Sequence, residues 1–414
     1  MRKRLTLMLT LLLVACLACG CAYLPLSGMD SMLSESGSAQ PTPAVDGDTV
    51  TISREQYEKY QQFDKLLEMM QIVNDSYYQE VAPDDMMDGA AQGLLYGVGD
   101  PYTFYYTAEE FAEMWEEDEG EYAGIGIQIS GSYVTGICTV SRVFDNGPAR
   151  EAGVLKGDVL YKVEDIYVDA YNLQDAVDIM RGTPGTDVNV VFLRGGEEMA
   201  YTLTRASISV NRVESTMLDD GVGYIYLYDF AGDCAVRFEE ALNSLVGQGA
   251  KGIIIDLRDN PGGWTTDAES IADLFMDKGV IYYLEYRDGE REYAYSKDGK
   301  TDVQLVVLMN EFSASSSEIL CGALKDRAGA TVVGVQSYGK GIVQGVIGLS
   351  DNSGMQVTIA QYFTPNGNKV HKVGITPDVE VKLPEGDIGM YQFADLSDPQ
   401  LSRALEIMKE KLAR

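Results

Sequence analysis

The chain has 414 residues, 45% of them hydrophobic and 23% charged, a balance that excludes intrinsic disorder over most of its length. At about 150 residues per domain, that length points to two or three domains. Acidic residues outnumber basic ones 64 to 32, for a formal charge of −32, and so acidic a surface repels phosphate backbones, so nucleic acid is not an expected partner. His371 is the single histidine, which rules out sites built on two imidazoles. No metal or organic cofactor is expected.

At the N-terminus, Arg2, Lys3 and Arg4 precede an uncharged apolar run over residues 5–17, the layout of an export signal. The uncharged stretch continues to about residue 26, long enough to span a bilayer if it is retained. Residues 13–16 resemble a lipoprotein cleavage box that would place a lipid on Cys16. Export to the cell envelope is expected, with the chain membrane-anchored, a lipoprotein or secreted. Residues 27–50, rich in Ser, Gly, Pro and Thr, read as a flexible tether.

Residues 51–121 form an N-terminal helical region. Apolar positions recur at helical spacing over 53–75 and again over 84–96, where Gly97 and Gly99-Asp100-Pro101 supply a stop. Residues 109–121 read as an acidic helix with an apolar stripe at Phe111, Met114 and Trp115. From about 122 the period shortens to that of strands, with a helix at 173–180 and a last strand at 187–193. This small domain, β-rich with two helices, is placed at 122–207. Over 208–385 strands and helices alternate, which implies an α/β layered core. Residues 386–414 close the chain with a helix at 400–412. Cys138, Cys234 and Cys321 are too widely spaced for a disulfide framework or a metal knuckle and read as buried thiols. The fold class is therefore α/β and multidomain.

Two groups of motifs carry resemblances. Gly124-Ile125-Gly126, the run from Gly147 to Leu160 (G-P-A-x-x-A-G-V-x-x-G-D-V-L) and Arg181-Gly182 together resemble a PDZ domain of the bacterial envelope type. The resemblance implies that Gly124, Ile125, Gly126 and Ile127 receive the C-terminus of a peptide, which joins the domain as an added strand. Downstream lie Asp256-Leu257-Arg258-Asp259-Asn260-Pro261-Gly262-Gly263, then Ser313-Ala314-Ser315-Ser316-Ser317-Glu318, then Tyr338-Gly339-Lys340-Gly341 with Gln344, and finally Thr364-Pro365-Asn366-Gly367. In this order behind a PDZ domain they resemble the carboxy-terminal processing peptidases, or tail-specific proteases. The resemblance covers roughly residues 55–385, and Gly99-Asp100-Pro101-Tyr102 fits its N-terminal segment. It departs at Ser316, where the family usually has alanine, and at Tyr102, where it often has histidine.

The resemblance implies that Ser315 is the nucleophile and Lys340 its base, with Gln344 orienting the lysine amine. It places the oxyanion donors on the backbone of Ser316, Gly262 and Gly263, and Asp326 in a supporting role. Independently of any family, Ser315 stands before an apolar helical run, where a strand-to-helix turn exposes a hydroxyl and gathers N–H groups. A lysine serves as a base only when neutral, so position 340 requires a dry setting. An amide at 344 suits that requirement, because a carboxylate would hold the lysine charged. His371 reads as structural.

The expected function is an exported serine endopeptidase acting on proteins or peptides with exposed C-termini. The N-terminal and C-terminal helices are candidates for a homodimer contact. One alternative is a non-catalytic PDZ scaffold on a protease-like body. Another is an acyl transferase of the penicillin-binding type, raised by Ser337-x-x-Lys340 and Ser350-Asp351-Asn352 but opposed by the absence of K-T-G.

Overall fold

The structure is a computed structural model that describes residues 22–25, 44–46, 49–119, 121–131, 136–144, 147–384 and 391–414. Residues 1–21, with the basic start and Cys16, and nearly all of the tether lie outside the described residues. No described helix is long and apolar enough to cross a membrane. The chain divides into two compact units, one of Pro25–Phe111 with Gly345–Thr358, the other built chiefly of Ala112–Gln344 with Ile359–Arg414.

In the first unit the periodic stretch over 53–75 splits into α1 (Arg54–Gln61) and α2 (Asp64–Ser76). α1 opens on a reciprocal cap, the Gln56 amide bonding to Ser53 Oγ and the Ser53 amide to Gln56 Oε1. α3 (Pro83–Tyr96) starts with a proline in its first turn, where the missing N–H costs nothing. None of these three helices has a buried residue. Asp100 of the Gly-Asp-Pro-Tyr segment accepts from the Tyr102 amide and from the hydroxyls of Thr103 and Thr358. These bonds hold β1 (Phe104–Tyr106) in register, antiparallel to residues 354–356. α4 (Ala108–Glu119) follows.

The second unit begins with a β-rich domain. β2 (Glu121–Gly124) pairs antiparallel with the later β8 (Ala206–Ser209), which closes the domain where it joins the core. Between them run β3 (Ile127–Gly131), β4 (Cys138–Val143), α5 (Pro148–Ala152), β5 (Val159–Val163), α6 (Leu173–Met180), β6 (Asp187–Arg194) and β7 (Glu197–Thr204). The sheet order is β7-β6-β5-β4-β3. Alternate residues of β6 (Val188, Val190, Phe192) and β4 (Cys138, Val140) point inward against Ala176 and Met180 of α6. β3 is an edge strand that pairs with β4 alone among the described residues.

The core sheet has the order β9 (Val213–Met217), β10 (Val222–Leu227), β11 (Gly252–Asp256), β14 (Gln304–Met309), β15 (Thr331–Gly334), β18 (Val379–Glu380). It is parallel except at the β9–β10 edge. The parallel strands read as continuous apolar runs because both faces are covered. Ile253 and Ile255 pack with α7 (Cys234–Gly247), α8 (Thr265–Asp273) and α9 (Ser316–Arg327). Ile254, Val306 and Leu308 pack on the other side with Leu401, Ala404 and Met408 of α10 (Pro399–Leu412). A second sheet covers α9, formed by β12 (Val280–Tyr286), β13 (Arg291–Tyr295), β16 (Ile342–Gly348) and β17 (Gly354–Phe363). The helix carrying the serine cluster is thus enclosed, and every residue from Ser316 to Leu324 is buried.

The two parts of this unit meet through Arg142 of β4. Its guanidinium lies 3.3 Å from the centre of the Tyr228 ring and bonds to the Asn211 carbonyl and Glu214. Cys138, Cys234 and Cys321 are buried free thiols.

Candidate active site

Ser315 lies between β14 and α9 with φ 58° and ψ −118°, in a region of the map that costs a non-glycine residue about 1–3 kcal/mol. Such a turn between a strand and a helix lifts a side chain out of the regular run of either element. Ser315 is fully buried, and its Oγ has no hydrogen-bond partner among the described residues. The strain persists because the surroundings over-determine the loop. Ser313 Oγ donates to the Leu257 carbonyl at 2.7 Å, the Ala314 amide to the Asn260 carbonyl at 3.1 Å, and Ser317 Oγ to that same carbonyl at 2.9 Å. The serine cluster is therefore more than a helix cap.

Glu318, which sequence reasoning passed over, fastens the Ser315 loop to the Lys340 loop. Its Oε2 accepts from the amides of Ser315 (3.0 Å) and Lys340 (2.9 Å), and its Oε1 from Ser337 Oγ (2.5 Å) and the Gly339 amide (2.8 Å). Burial pushes this carboxyl above the ordinary glutamate range, and the four donors pull it part of the way back. Tyr362 of β17 makes a second tie, its hydroxyl lying 2.8 Å from the Lys340 carbonyl and 3.1 Å from that of Ser315. The signal for Glu318 was present as Ser-x-x-Glu at a helix start, a capping-box spacing. No local pattern marks Tyr362.

Lys340 is 1% exposed and one of the largest fully buried side chains in the chain. It precedes β16, in which Gln344 is also fully buried. A side chain on Gly341 would meet the His371 amide at 2.1 Å, so the backbone of the only histidine packs directly against the residue that follows the lysine. Ser337 sits in the loop between β15 and β16, donating to Glu318 and accepting from the Ile375 amide. It does not open a helix, which removes the penicillin-binding pattern as a reading of Ser337 and Lys340.

The Gly262-Gly263 turn packs against Ser315. A Cβ on Gly262 would come within 2.7 Å of Ser315 Cβ, and one on Gly263 within 2.0 Å of the Phe230 carbonyl oxygen, at φ 105° and 143°. Only glycine fits either position. The Gly262 amide, one of the expected oxyanion donors, donates to Asn260 Oδ1 at 2.8 Å. The amides of Gly263 and Ser316 have no acceptor among the described residues. Asp326 lies at the far end of α9, about 16 Å along the helix axis from Ser315. It accepts from Thr364 Oγ1 (2.6 Å) and the Asn366 amide (3.0 Å), fixing the turn that follows β17.

In the small domain, the carbonyls of Ile125 and Gly126 are taken by the amides of Ala149 (2.9 Å) and Phe144 (3.0 Å). The N–H groups of Ile125 and Gly126 have no acceptor among the described residues. Gly126 has φ 81°, and a Cβ there would meet Gly147 Cα at 2.6 Å. Ile127 begins the edge strand β3.

Comparisons with known proteins agree with this organisation. The family model described as Peptidase family S41 matches residues 221–381, a PDZ domain model matches 139–194, and a model described as the activating protease CtpB N-terminal domain matches 26–110. The chain is 34% identical over 326 residues to the carboxy-terminal processing protease CtpA of Bacillus subtilis, covering 78% of this chain and 70% of the relative. It is 35% identical over 330 residues to the carboxyl-terminal-processing protease of Synechocystis, covering 77% and 76%. Among solved structures, the photosystem II D1 C-terminal processing protease is similar, with a TM-score of 0.56 and 26% identity over 82% of this chain and 96% of that one. With this coverage, and with the protease core and the PDZ domain each matched, the chain belongs to the carboxy-terminal processing proteases of peptidase family S41 and is a serine-type peptidase.

Proposed function

We propose that this peptidase is an exported endopeptidase that works through a Ser315–Lys340 dyad on proteins presented by their C-terminal tails. The observation that carries the reading is the shared fastening of the two residues. The amides of a strained, buried serine and a buried lysine bond to one oxygen of Glu318, and their carbonyls face one hydroxyl, that of Tyr362. In this reading Ser315 Oγ attacks the scissile carbonyl carbon while its proton passes to Lys340 Nζ. The oxyanion is received by the amides of Ser316 and Gly263, with Gly262 shaping the turn. As the C–N bond breaks, the leaving amine takes the proton from Lys340, and water then hydrolyses the acyl ester with the lysine again as base. Gln344 orients the amine, and Asp326 holds the turn after β17.

The β3 edge and the N–H groups of Ile125 and Gly126 favour capture of a C-terminal carboxylate with its chain as an added strand. The basic and apolar leader of residues 1–26 supports export with membrane association. Exposed apolar side chains on α2, among them Leu67 (59% exposed) and Ile72 (55%), favour a homodimer through the N-terminal helices.

The test is cleavage of an unfolded protein by the wild type, Ser315→Ala and Lys340→Ala. The reading expects both variants to be inactive while folded, and cleavage by either at the wild-type rate overturns it. Deleting residues 122–205 should change the preference for substrate tails. For the homodimer, sedimentation of the wild type against Leu67→Glu with Ile72→Glu should show a dimer lost in the double variant.

A further inference from the structure

We propose that the Ser316 hydroxyl is a positioning group for the oxyanion pocket. Its hydrogen bond to the Gly263 carbonyl, 2.8 Å long, fixes the Gly263 turn, so that one residue supplies a donor through its amide and steadies the opposite donor through its side chain. The inference rests on the roles given above to Ser315 and Gly263.

Gly263 has no Cβ and the widest conformational freedom of any residue type, yet a donor aimed at a developing charge must hold its orientation before the charge appears. The turn is pinned on one side by Phe230 and Asn260: the Phe230 amide donates to the Gly262 carbonyl (2.9 Å), the Trp264 amide to the Phe230 carbonyl (2.7 Å), and the Gly262 amide to Asn260 Oδ1 (2.8 Å). The first bond acts on the peptide that carries the Gly263 N–H and the second on the peptide that carries its carbonyl, and neither occupies the carbonyl oxygen itself. Among the described residues, Ser316 Oγ is the donor to that carbonyl. Ser316 is fully buried in the first turn of α9, and its part-buried bond to the Gly263 carbonyl ties the turn to that helix. An alanine at this position could not make the contact. The hydroxyl proton is directed at a carbonyl oxygen, which also distinguishes this serine from Ser315, whose Oγ has no partner among the described residues.

The experiment compares the full chain with Ser316→Ala and Ser315→Ala in peptide cleavage, and measures binding of a peptide boronate, which forms a tetrahedral adduct, alongside the corresponding product peptide. Loss of one neutral hydrogen bond that acts on the transition state should lower kcat about three- to tenfold and leave KM within about twofold. Boronate affinity should fall by the same factor and product-peptide affinity should not move. If Ser316→Ala keeps wild-type kcat and boronate affinity while Ser315→Ala is inactive, the positioning role is overturned and the dyad reading stands. If Ser315→Ala still cleaves, the dyad reading itself has failed. A loss that appears in KM, or that follows a fall in the urea midpoint, assigns the hydroxyl to general stability and also overturns the proposal.

Discussion

Replacing Glu318 by glutamine tests the fastener between the Ser315 and Lys340 loops with almost no change in shape. One carboxylate oxygen becomes an NH2 group, and each oxygen now serves two donors: Ser315 N and Lys340 N on Oε2, Ser337 Oγ and Gly339 N on Oε1. Whichever way the amide settles, two donors lose their acceptor and face another donor. A buried donor left unpaired costs about 1–3 kcal/mol, so the substitution should destabilise the chain by about 2–6 kcal/mol. Part of that cost can be relieved if Ser315 abandons its strained backbone, which stores about 1–3 kcal/mol, and such a relaxation withdraws the hydroxyl from the turn. Glu318→Gln should therefore show both a lower urea midpoint and a kcat reduced at least about tenfold even where the protein is fully folded. Urea denaturation and steady-state cleavage of one peptide at several enzyme concentrations read the two effects separately. A variant with wild-type kcat and an unmoved midpoint would refute the claim that this carboxylate holds the site together.

Gly263→Ala should be inactive and less stable by about 2–5 kcal/mol, because its Cβ would lie 2.0 Å from the Phe230 carbonyl oxygen at a φ of 143°; retention of more than half of the wild-type kcat would count against the tight turn. Asp398 caps α10 and pairs with Arg258, which also grips Asp256 just ahead of the glycine turn. Asp398→Ala removes the cap of α10 and one of the two carboxylates on Arg258, which keeps Asp256, and should cost about 1–3 kcal/mol in urea denaturation, an expectation that an unmoved midpoint would sink. Burial pushes the Asp158 carboxyl up, but the bidentate contact with Arg194 and the Leu155 amide outweigh it and hold the group below the ordinary aspartate range. The stability this pair contributes is complete above the ordinary aspartate value and disappears as pH falls through the lowered one. Thermal melts of Asp158→Asn should thus lose part of the acid sensitivity of the wild type below about pH 4, and identical pH dependence in both proteins would refute the assignment.

Much of the fold was legible because its signals are local. The apolar runs at 253–255 and 305–308 mark strands buried on both faces, and the helix at 173–180 carries its period of 3.6 in plain view. Edge elements were less visible. β13 is largely exposed and carries the weak pattern of a solvent-facing hairpin. The break between α1 and α2 left no proline or glycine to announce it.

At the site the division falls in the same place. Ser315, Lys340, Gln344 and the two glycines stand in short motifs whose chemistry can be read residue by residue, because backbone conformation and side-chain type are properties of a few neighbouring positions. Glu318 shows its capping spacing to Ser315 but not its reach to a loop 22 residues away at Lys340, and Tyr362 gives no hint of bridging the carbonyls on both sides. The bond from the Gly262 amide to Asn260 is closed within two residues of the chain, whereas the ties of Glu318 and Tyr362 are not local. Such ties form only when the second sheet closes over α9 and excludes water. Once the solvent is gone, every buried donor must find an acceptor wherever packing has brought one, and that search runs across the fold and not along the chain.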